Sequence, residues 1–292
     1  MAIHVLGSVN IDHSYRVPHA PGPGETLADG GYVRGLGGKG CNQALAAAAA
    51  GAAVRLVGAV GAEGGWCREA LAAGGVDVSG LATVAAATGH AIILVEPSGE
   101  NRIVIHGGAN RAITGAMVAG GIAAARPGDW WLAQNETSRV AESLAAARAA
   151  GLRTAYAAAP FDPAAAAEAL PHTDLLALNA VEAAALAAHL GTDPAALPAA
   201  ELLVTRGREG AELRGPAGTL SVPALPVEPV DTTGAGDCFL GYFLAGRDRG
   251  LDDGAALARA AAAAALSVTR PGAAAAIPTA AETDAFLAAG RG

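Results

Sequence analysis

Between Trp130 and Thr205 the chain repeats one pattern, a strand-length apolar run followed by an alanine-rich helical stretch. Trp130–Ala133 precedes Ser138–Ala150, and Arg153–Ala157 precedes a helix around Pro163–Leu170. Asp174–Leu178 precedes Val181–Leu190, with Leu202–Thr205 next. Such alternation predicts parallel strands joined by helical crossovers, hence an α/β fold in three layers, a mostly parallel sheet between helices. Pro163 falls in a first helical turn, where its missing N–H is no loss. Ile3–Leu6 and Val54–Val60 (VRLVGAV) read as buried strands and Asn42–Ala50 as a helix. Residues 17–40 are too rich in Pro and Gly for a helix and read as loop or short strand. One hairpin is expected from Ala91–Val95 and Arg102–Ile105 around PSGEN, and a second near Ala211–Val222. Helices Asp237–Ala245 and Asp253–Thr269 close the chain. No fixed-period repeat is present and no long linker divides the chain, so residues 1–292 are expected to form one domain.

Composition removes several function classes. Lys and Arg number 19 against 27 Asp and Glu, a net charge of −8 that argues against a nucleic-acid partner. The longest apolar stretches, Ala44–Val54 and Ala260–Val268, are about half of a membrane span, so no membrane association is expected. The start, MAIHVLGSVN, reads as a strand and lacks the basic region and cleavage site of a secretory signal. Cys41, Cys67 and Cys238 show no CxxC spacing, and none of the seven His falls in an HExxH pattern. A cytoplasmic protein is expected.

In an open α/β sheet, ligands bind beyond the carboxyl ends of the strands. The scarce polar residues of this chain concentrate there: in 7–12, 37–42, 134–136, 179–182, 205–210 and 231–237. The most specific of these segments is DTTGAGD, 231–237, directly before an apolar helix. Gly234, Ala235 and Gly236 leave backbone N–H groups free to face an anion at the helix start. Asp237 beside them can take a proton from an attacking hydroxyl, or serve only as a helix N-cap. Gly35–Gly40 satisfies G-x-G-x-x-G, but the first strand ends near residue 7, too far upstream for a dinucleotide-binding βαβ unit. Gly40 also stands where a P-loop needs Ser or Thr.

DTTGAGDCFLGYFLAG closely resembles the C-terminal signature of the PfkB carbohydrate kinase family. GSVNIDHSYRV, PGPGETL, GGKGCNQALAAA, TGHAIILVEPSGENRIVIHGGAN, LNAVEA, VTRGREGA and ALSVTRPGAAAAIP follow in that family's order. The resemblance spans essentially the whole chain and is strongest to the family's ribose-phosphorylating members. It implies in-line transfer of the ATP γ-phosphoryl group to O5 of D-ribose. Asp237 is then the proton acceptor, and the Gly234–Gly236 amides hold the transferring group. Asn10, Asp12, Gly38, Lys39, Asn42 and Glu136 become sugar contacts, although Glu136 alone fits equally a carboxylate at a helix start. Asn179, Thr205, Gly207 and Gly210 fall at nucleotide-binding positions. Glu182 is expected to hold Mg²⁺ through water; as a local signal, Asn179 and Glu182 are explained equally well by a capping box. Asp231, Thr233, Ser267, Arg270 and Gly272 match an activating K⁺ site built partly from carbonyls. Segments 13–35 and 89–106 resemble a small β-sheet lid that also joins two subunits, so a homodimer is expected.

The chain departs from the family's pattern at four places. Ala157, Ala261 and Ala276 replace polar residues, and 190–204 lacks most of a helix, with the prospect of an uncovered sheet face. These departures leave open a kinase for another acceptor (fructose, 2-keto-3-deoxygluconate, adenosine or pseudouridine) or a non-catalytic binding module. A helix N-terminus should also lower the pKa of Asp237 and weaken it as a base.

Overall fold

The computed structural model describes residues 1–98 and 100–290. The chain opens with β1 (Ala2–Leu6), β2 (Asn10–Arg16) and β3 (Gly31–Gly37), then α1 (Lys39–Ala49), β4 (Ala53–Val60) and α2 (Gly65–Ala73). Three strands follow, β5 (Val76–Thr83), β6 (Gly89–Val95) and β7 (Asn101–His106), then α3 (Gly115–Ala123). The regular part runs β8 (Trp130–Gln134), α4 (Val140–Ala149), β9 (Arg153–Ala157), α5 (Pro163–Ala169), β10 (Leu175–Asn179), α6 (Ala180–Leu190) and β11 (Glu201–Thr205). The hairpin β12 (Ala211–Gly215) and β13 (Gly218–Val222) then leads to α7 (Ala235–Asp248), α8 (Asp253–Ser267) and α9 (Ala280–Ala289).

Nine strands form the main sheet in the order β13-β12-β11-β10-β9-β8-β1-β4-β5. All neighbours are parallel except at β11-β12-β13, where the predicted hairpin adds an antiparallel edge. One face carries α1, α7 and α8 over a core that includes Phe243, Tyr242, Leu240 and Cys41. The other carries α3 to α6 over Trp131, Tyr156, Leu144 and Leu186. Central strand β8 is buried at every position, as a strand covered on both faces must be. The three-layer α/β prediction therefore holds.

A second sheet of four strands, in the order β3-β2-β6-β7, stands apart from the first. It contains the predicted 91–105 hairpin, with β6 and β7 antiparallel. The PSGEN turn includes residue 99, outside the described residues. The sheet begins earlier than expected, so Asn10 and Asp12 belong to its strand β2 rather than to a loop after β1. Strand β7 is exposed throughout, and Val33, Ile103, Val104 and Ile105 leave much of their surface open.

Sequence reading assigned no element to α2, β5, α3 or α9. Edge strand β5 is buried only at intervals (Val76, Leu81), and α9 buries Thr283 alone, so neither shows a clear apolar period. Between the end of α6 and the start of β11, the short 190–204 segment holds only a 3₁₀ turn at Pro194–Ala196. It does not uncover the sheet: Leu197 packs with Leu202, Val204 and Ala183, and the Pro194 carbonyl accepts from Arg214 Nη1 at 2.8 Å. No helix among the described residues is long and apolar enough to cross a membrane.

Candidate active site

Eight of the predicted residues meet in a cleft of about 200 Å³ beyond the carboxyl ends of β9, β10 and β11. Lys39, Asn179, Glu182, Thr205, Gly234, Ala235, Gly236 and Asp237 line it. Helix α7 starts here because Gly234 turns the chain at φ 74°, a left-handed conformation natural to glycine. A Cβ at Gly234 would also lie 2.8 Å from the Ala273 methyl, whereas one at Gly236 would meet only open space. The first-turn amides of α7 are thus directed at a volume with room for an anion.

Asp237 is not an N-cap. It lies inside the first turn of α7, where Asn42 Nδ2 donates to Oδ2 at 3.2 Å and Gln43 Nε2 to Oδ1 at 2.8 Å. The expected lowering of its pKa is overturned. Burial, reinforced by the negative charge of Glu136, outweighs Lys39 and the two amide donors and holds the carboxyl above the ordinary range. The neighbours that fix its orientation therefore do not weaken it as a base. Gln43 is itself held, its Oε1 accepting from Gln134 Nε2 at 2.7 Å. The sequence assigns neither glutamine a role, although Gln134 falls in the polar segment 134–136; Gln43 directly follows Asn42 in the GGKGCNQ segment, the one signal that could have found it.

Glu136 serves a helix start, but not that of α4, which begins only at Val140. Its Oε2 accepts from Lys39 N at 3.0 Å and Ser8 Oγ at 2.5 Å. It thereby caps α1, whose own N-cap, Gly38, has no side chain for the task. Ser8, which falls in the polar segment 7–12 but carries no assigned role from sequence, further accepts from Gly40 N at 3.2 Å.

A second cavity, about 170 Å³, opens beside Glu136 and is bordered by Asn10, Asn110 and Arg111. Asn10 is buried, its Oδ1 accepting from Asn110 Nδ2 at 2.7 Å, and Asn110 Oδ1 accepts from Val9 N. Asn42 Oδ1 is buried with no donor among the described residues. The Asp12 carboxylate lies against the backbone of Gly37, where a Cβ would come within 2.0 Å of Oδ2. Only glycine at 37 leaves it that position, and no protein group among the described residues hydrogen-bonds to it there. Burial first, and the charge of Glu136 second, push the Asp12 carboxyl up to about 7. Asn42 Oδ1 and Asp12 are thus acceptors without protein donors, which sugar hydroxyls can satisfy.

Asn179 and Glu182 form the capping box: Glu182 N donates to Asn179 Oδ1 at 2.9 Å, and Asn179 N to Glu182 Oε2 at 2.8 Å. Gly207 and Gly210 bracket a 3₁₀ turn just past Thr205 and do not line the cleft. The loops at 231–233 and 267–272 do meet. Asp231 Oδ1 accepts from Thr233 N and Oδ2 from Gly272 N, both at 2.9 Å, while Asp231 N donates to Val268 O. Burial would raise the Asp231 carboxyl, but these bonds hold it below the ordinary range. Ser267 Oγ donates to Ala264 O and Arg270 pairs with Glu282, so both side chains are engaged within their own surroundings. Of the three alanine departures, Ala157 lines the cleft, whereas Ala261 packs in the core and Ala276 is wholly buried.

A model of the pfkB family carbohydrate kinases matches residues 2–280. Ribokinase of Haemophilus influenzae is 35% identical, over 97% of this chain and 97% of its own. Ribokinase of Bacillus subtilis is 34% identical, over 98% and 99% respectively. The structure of Arabidopsis thaliana ribokinase complexed with ribose and ATP is similar at a TM-score of 0.86 and 27% identity, over 98% of this chain and 99% of that one. With a matching family model over nearly its whole length and full-length relatives above 30% identity, the chain belongs to the PfkB family of carbohydrate kinases.

Proposed function

We propose that this chain transfers the γ-phosphoryl group of ATP to O5 of D-ribose, yielding D-ribose 5-phosphate and ADP. The observation that carries this is the position of Asp237, in the first turn of α7 at the cleft and linked through Asn42, Lys39 and Glu136 to the cavity bordered by Asn10. Its raised pKa suits a base that accepts the O5 proton as the new P–O bond forms and the bond to ADP breaks. The Gly234–Gly236 amides face the charge on the transferring group. Asn10, Asp12, Gly38, Lys39, Asn42 and Glu136 orient the sugar, and Asn179, Thr205, Gly207 and Gly210 are assigned to the nucleotide.

Mg²⁺ fits the cleft through Glu182, whose Oε1 stays outside the capping box and can hold a metal-bound water. K⁺ fits the pinned loops of Asp231, Thr233, Ser267, Arg270 and Gly272, which offer mainly carbonyl oxygens. When bound, the two cations neutralise phosphate charge and steady the anion-binding turn.

The four-stranded sheet is assigned as the lid, formed by about 13–35 and 89–106, that shields the site from water within a single kinase domain. Its exposed Val33, Ile103 and Val104 support pairing with a second copy as a homodimer. Dependence on ATP and a free sugar fits a cytoplasmic setting.

The test is ADP release with Mg·ATP and K⁺ across ribose, fructose, 2-keto-3-deoxygluconate, adenosine and pseudouridine, with Asp237→Asn alongside. Ribose-dependent turnover that the variant loses is the expected result. Turnover only with another acceptor moves the specificity and keeps the mechanism, and binding without turnover refutes the kinase reading.

A further inference from the structure

Asn10, Asp12, Val33 and Ile103 stand on one face of the small sheet. Alternation along the paired strands puts His13, His90 and His106 on the other. His90 and His106 are directly opposite in the antiparallel β6–β7 pair, with ring centroids 5.0 Å apart and planes tilted by 38°. Neither is in an ion pair: among the described residues the histidines that meet carboxylates are His4 and His19. His90 Nδ1 lies 3.4 Å from the Thr88 carbonyl, and an N–H donated there leaves the lone pair on Nε2. Two arginines share this face, but each is engaged. The Arg34 guanidinium lies over the Trp66 ring at 4.8 Å, and Arg102 is 3.7 Å from Glu96.

The spacing of the two imidazoles suits a shared metal ion. An imidazole nitrogen binds a metal at about 2.0–2.1 Å, which puts the ring centroid about 3.2 Å from the ion. Two rings in adjacent tetrahedral or square positions then stand about 4.5–5.2 Å apart. The His90–His106 distance falls in that interval. His13 is 6.1 Å from His90, and its Nδ1 is taken by Tyr32 Oη at 2.8 Å. No three His, Cys, Asp or Glu side chains among the described residues are placed to hold one ion together, so water completes the shell.

We propose that His90 and His106 form a chelating site for a divalent transition-metal ion, separate from the Mg²⁺ assigned to the cleft. Imidazole suits Cu²⁺, Ni²⁺ and Zn²⁺, whereas Mg²⁺ keeps to oxygen ligands. Each ligand adjoins a glycine at the wall of the cavity bordered by Asn10. At Gly89 a Cβ would fall 2.4 Å from Asn10 Oδ1 and 2.2 Å from Asn110 Nδ2, and Gly107 borders the cavity itself. The ion thus clips β6 to β7 where the hairpin meets the Asn10–Asn110 pair. The site stands whichever acceptor the enzyme phosphorylates.

The test uses Cu²⁺ as the probe, read by calorimetry and by electron paramagnetic resonance. It compares the wild type with His90→Gln, His106→Gln, the double variant and His13→Gln. His90 is half-buried and His106 exposed, so glutamine at either place leaves the fold intact. In the expected outcome one ion binds with two coupled nitrogens in its spectrum. Each single variant at 90 or 106 loses about tenfold or more in affinity, and the double variant falls little further, since a lone imidazole no longer chelates. His13→Gln keeps the wild-type affinity. Amide exchange across β6 and β7 slows when Cu²⁺ is added to the wild type and not when it is added to the double variant. An affinity unchanged in the double variant places the ion elsewhere and overturns the proposal. A loss confined to one of the two single variants, or an equal loss in His13→Gln, overturns it as well. So does binding that leaves exchange unchanged, because an ion held by both strands must restrain them.

Discussion

Asp237 and Asp12 are carboxylates of one site held in opposite ways. Asp237 stands on the helical layer of the nine-stranded sheet, fixed by Asn42 and Gln43 and backed by Gln134. Asp12 stands on the four-stranded sheet with no protein donor among the described residues, buried enough to titrate near 7. The surroundings match: the main sheet's central strands are sealed on both faces, while the small sheet leaves β7 and Val33 in solvent. Charge is thus fixed in advance where bonds change, and left for the ligand to complete where the ligand is recognised. The rigid region is built for chemistry and the open one for binding.

The widest gap between the two regions is expected in turnover. Asp237→Asn should lower kcat by about 10²- to 10⁴-fold with little change in the KM for sugar. The amide has one acceptor oxygen for two amide donors, so its own NH₂ must face either Asn42 or Gln43. Steady-state kinetics over ribose and ATP measure this; a loss confined to KM would make Asp237 another recognition residue and erase the distinction.

Charging the open face is the next largest perturbation. Ile103→Glu together with Val33→Lys should raise the dimer dissociation constant by about 100-fold or more, because both would desolvate a charge at the interface. Sedimentation equilibrium reads the change. A wild type that is already monomeric at micromolar concentration would show that the face is simply solvated.

Asp12 offers a pH test of the same division. Its carboxyl accepts sugar hydroxyls through both oxygens, and most strongly, when ionised, and its pKa is raised to about 7. The KM for ribose should therefore be flat at higher pH and rise below 7, approaching tenfold per unit, while Asp12→Asn removes the dependence at the cost of a higher KM throughout. Hydroxyl donors favour the charged form, so ribose binding near pH 7 should release a proton. Calorimetry in buffers of different ionisation enthalpy detects that release, and proton uptake would reverse the assignment.

How much of this was readable in the sequence follows the same line between rigid and open. DTTGAGD and the strand–helix alternation from Trp130 announce themselves because local chemistry dictates them: small residues before an apolar helix, and apolar runs of strand length. Gln43, Gln134, Ser8 and the role of Glu136 did not, since each acts across about 90 or more residues of chain. A carboxylate capping a helix 97 residues upstream has no local pattern. The pKa of Asp237 was misjudged for a related reason. The helix dipole is visible in sequence, whereas the burial that outweighs it arises only when α1 packs on α7. The small sheet was located by resemblance, because β2 and β3 carry too many Gly and polar residues to show alternation.

The smallest expected effect concerns the one motif with two sufficient explanations. Asn179→Ala removes the N-cap of α6 and should cost about 1 kcal/mol, read as a lower urea midpoint at unchanged slope. That loss alone cannot say whether the pair serves the fold or the nucleotide, since Glu182 is held by the same box. Asn179→Ser separates the two. Serine restores the cap, because its oxygen can accept from Glu182 N, but it lacks the amide NH₂ that asparagine presents to the cleft. If Asn179 only caps α6, serine returns both stability and the KM for Mg·ATP to wild-type values. If it also meets the nucleotide, stability returns while the KM stays raised by several-fold, the loss of one neutral hydrogen bond. The second result extends the fixed, catalytic region along the cleft to α6; the first ends it at α7 and makes the local explanation sufficient.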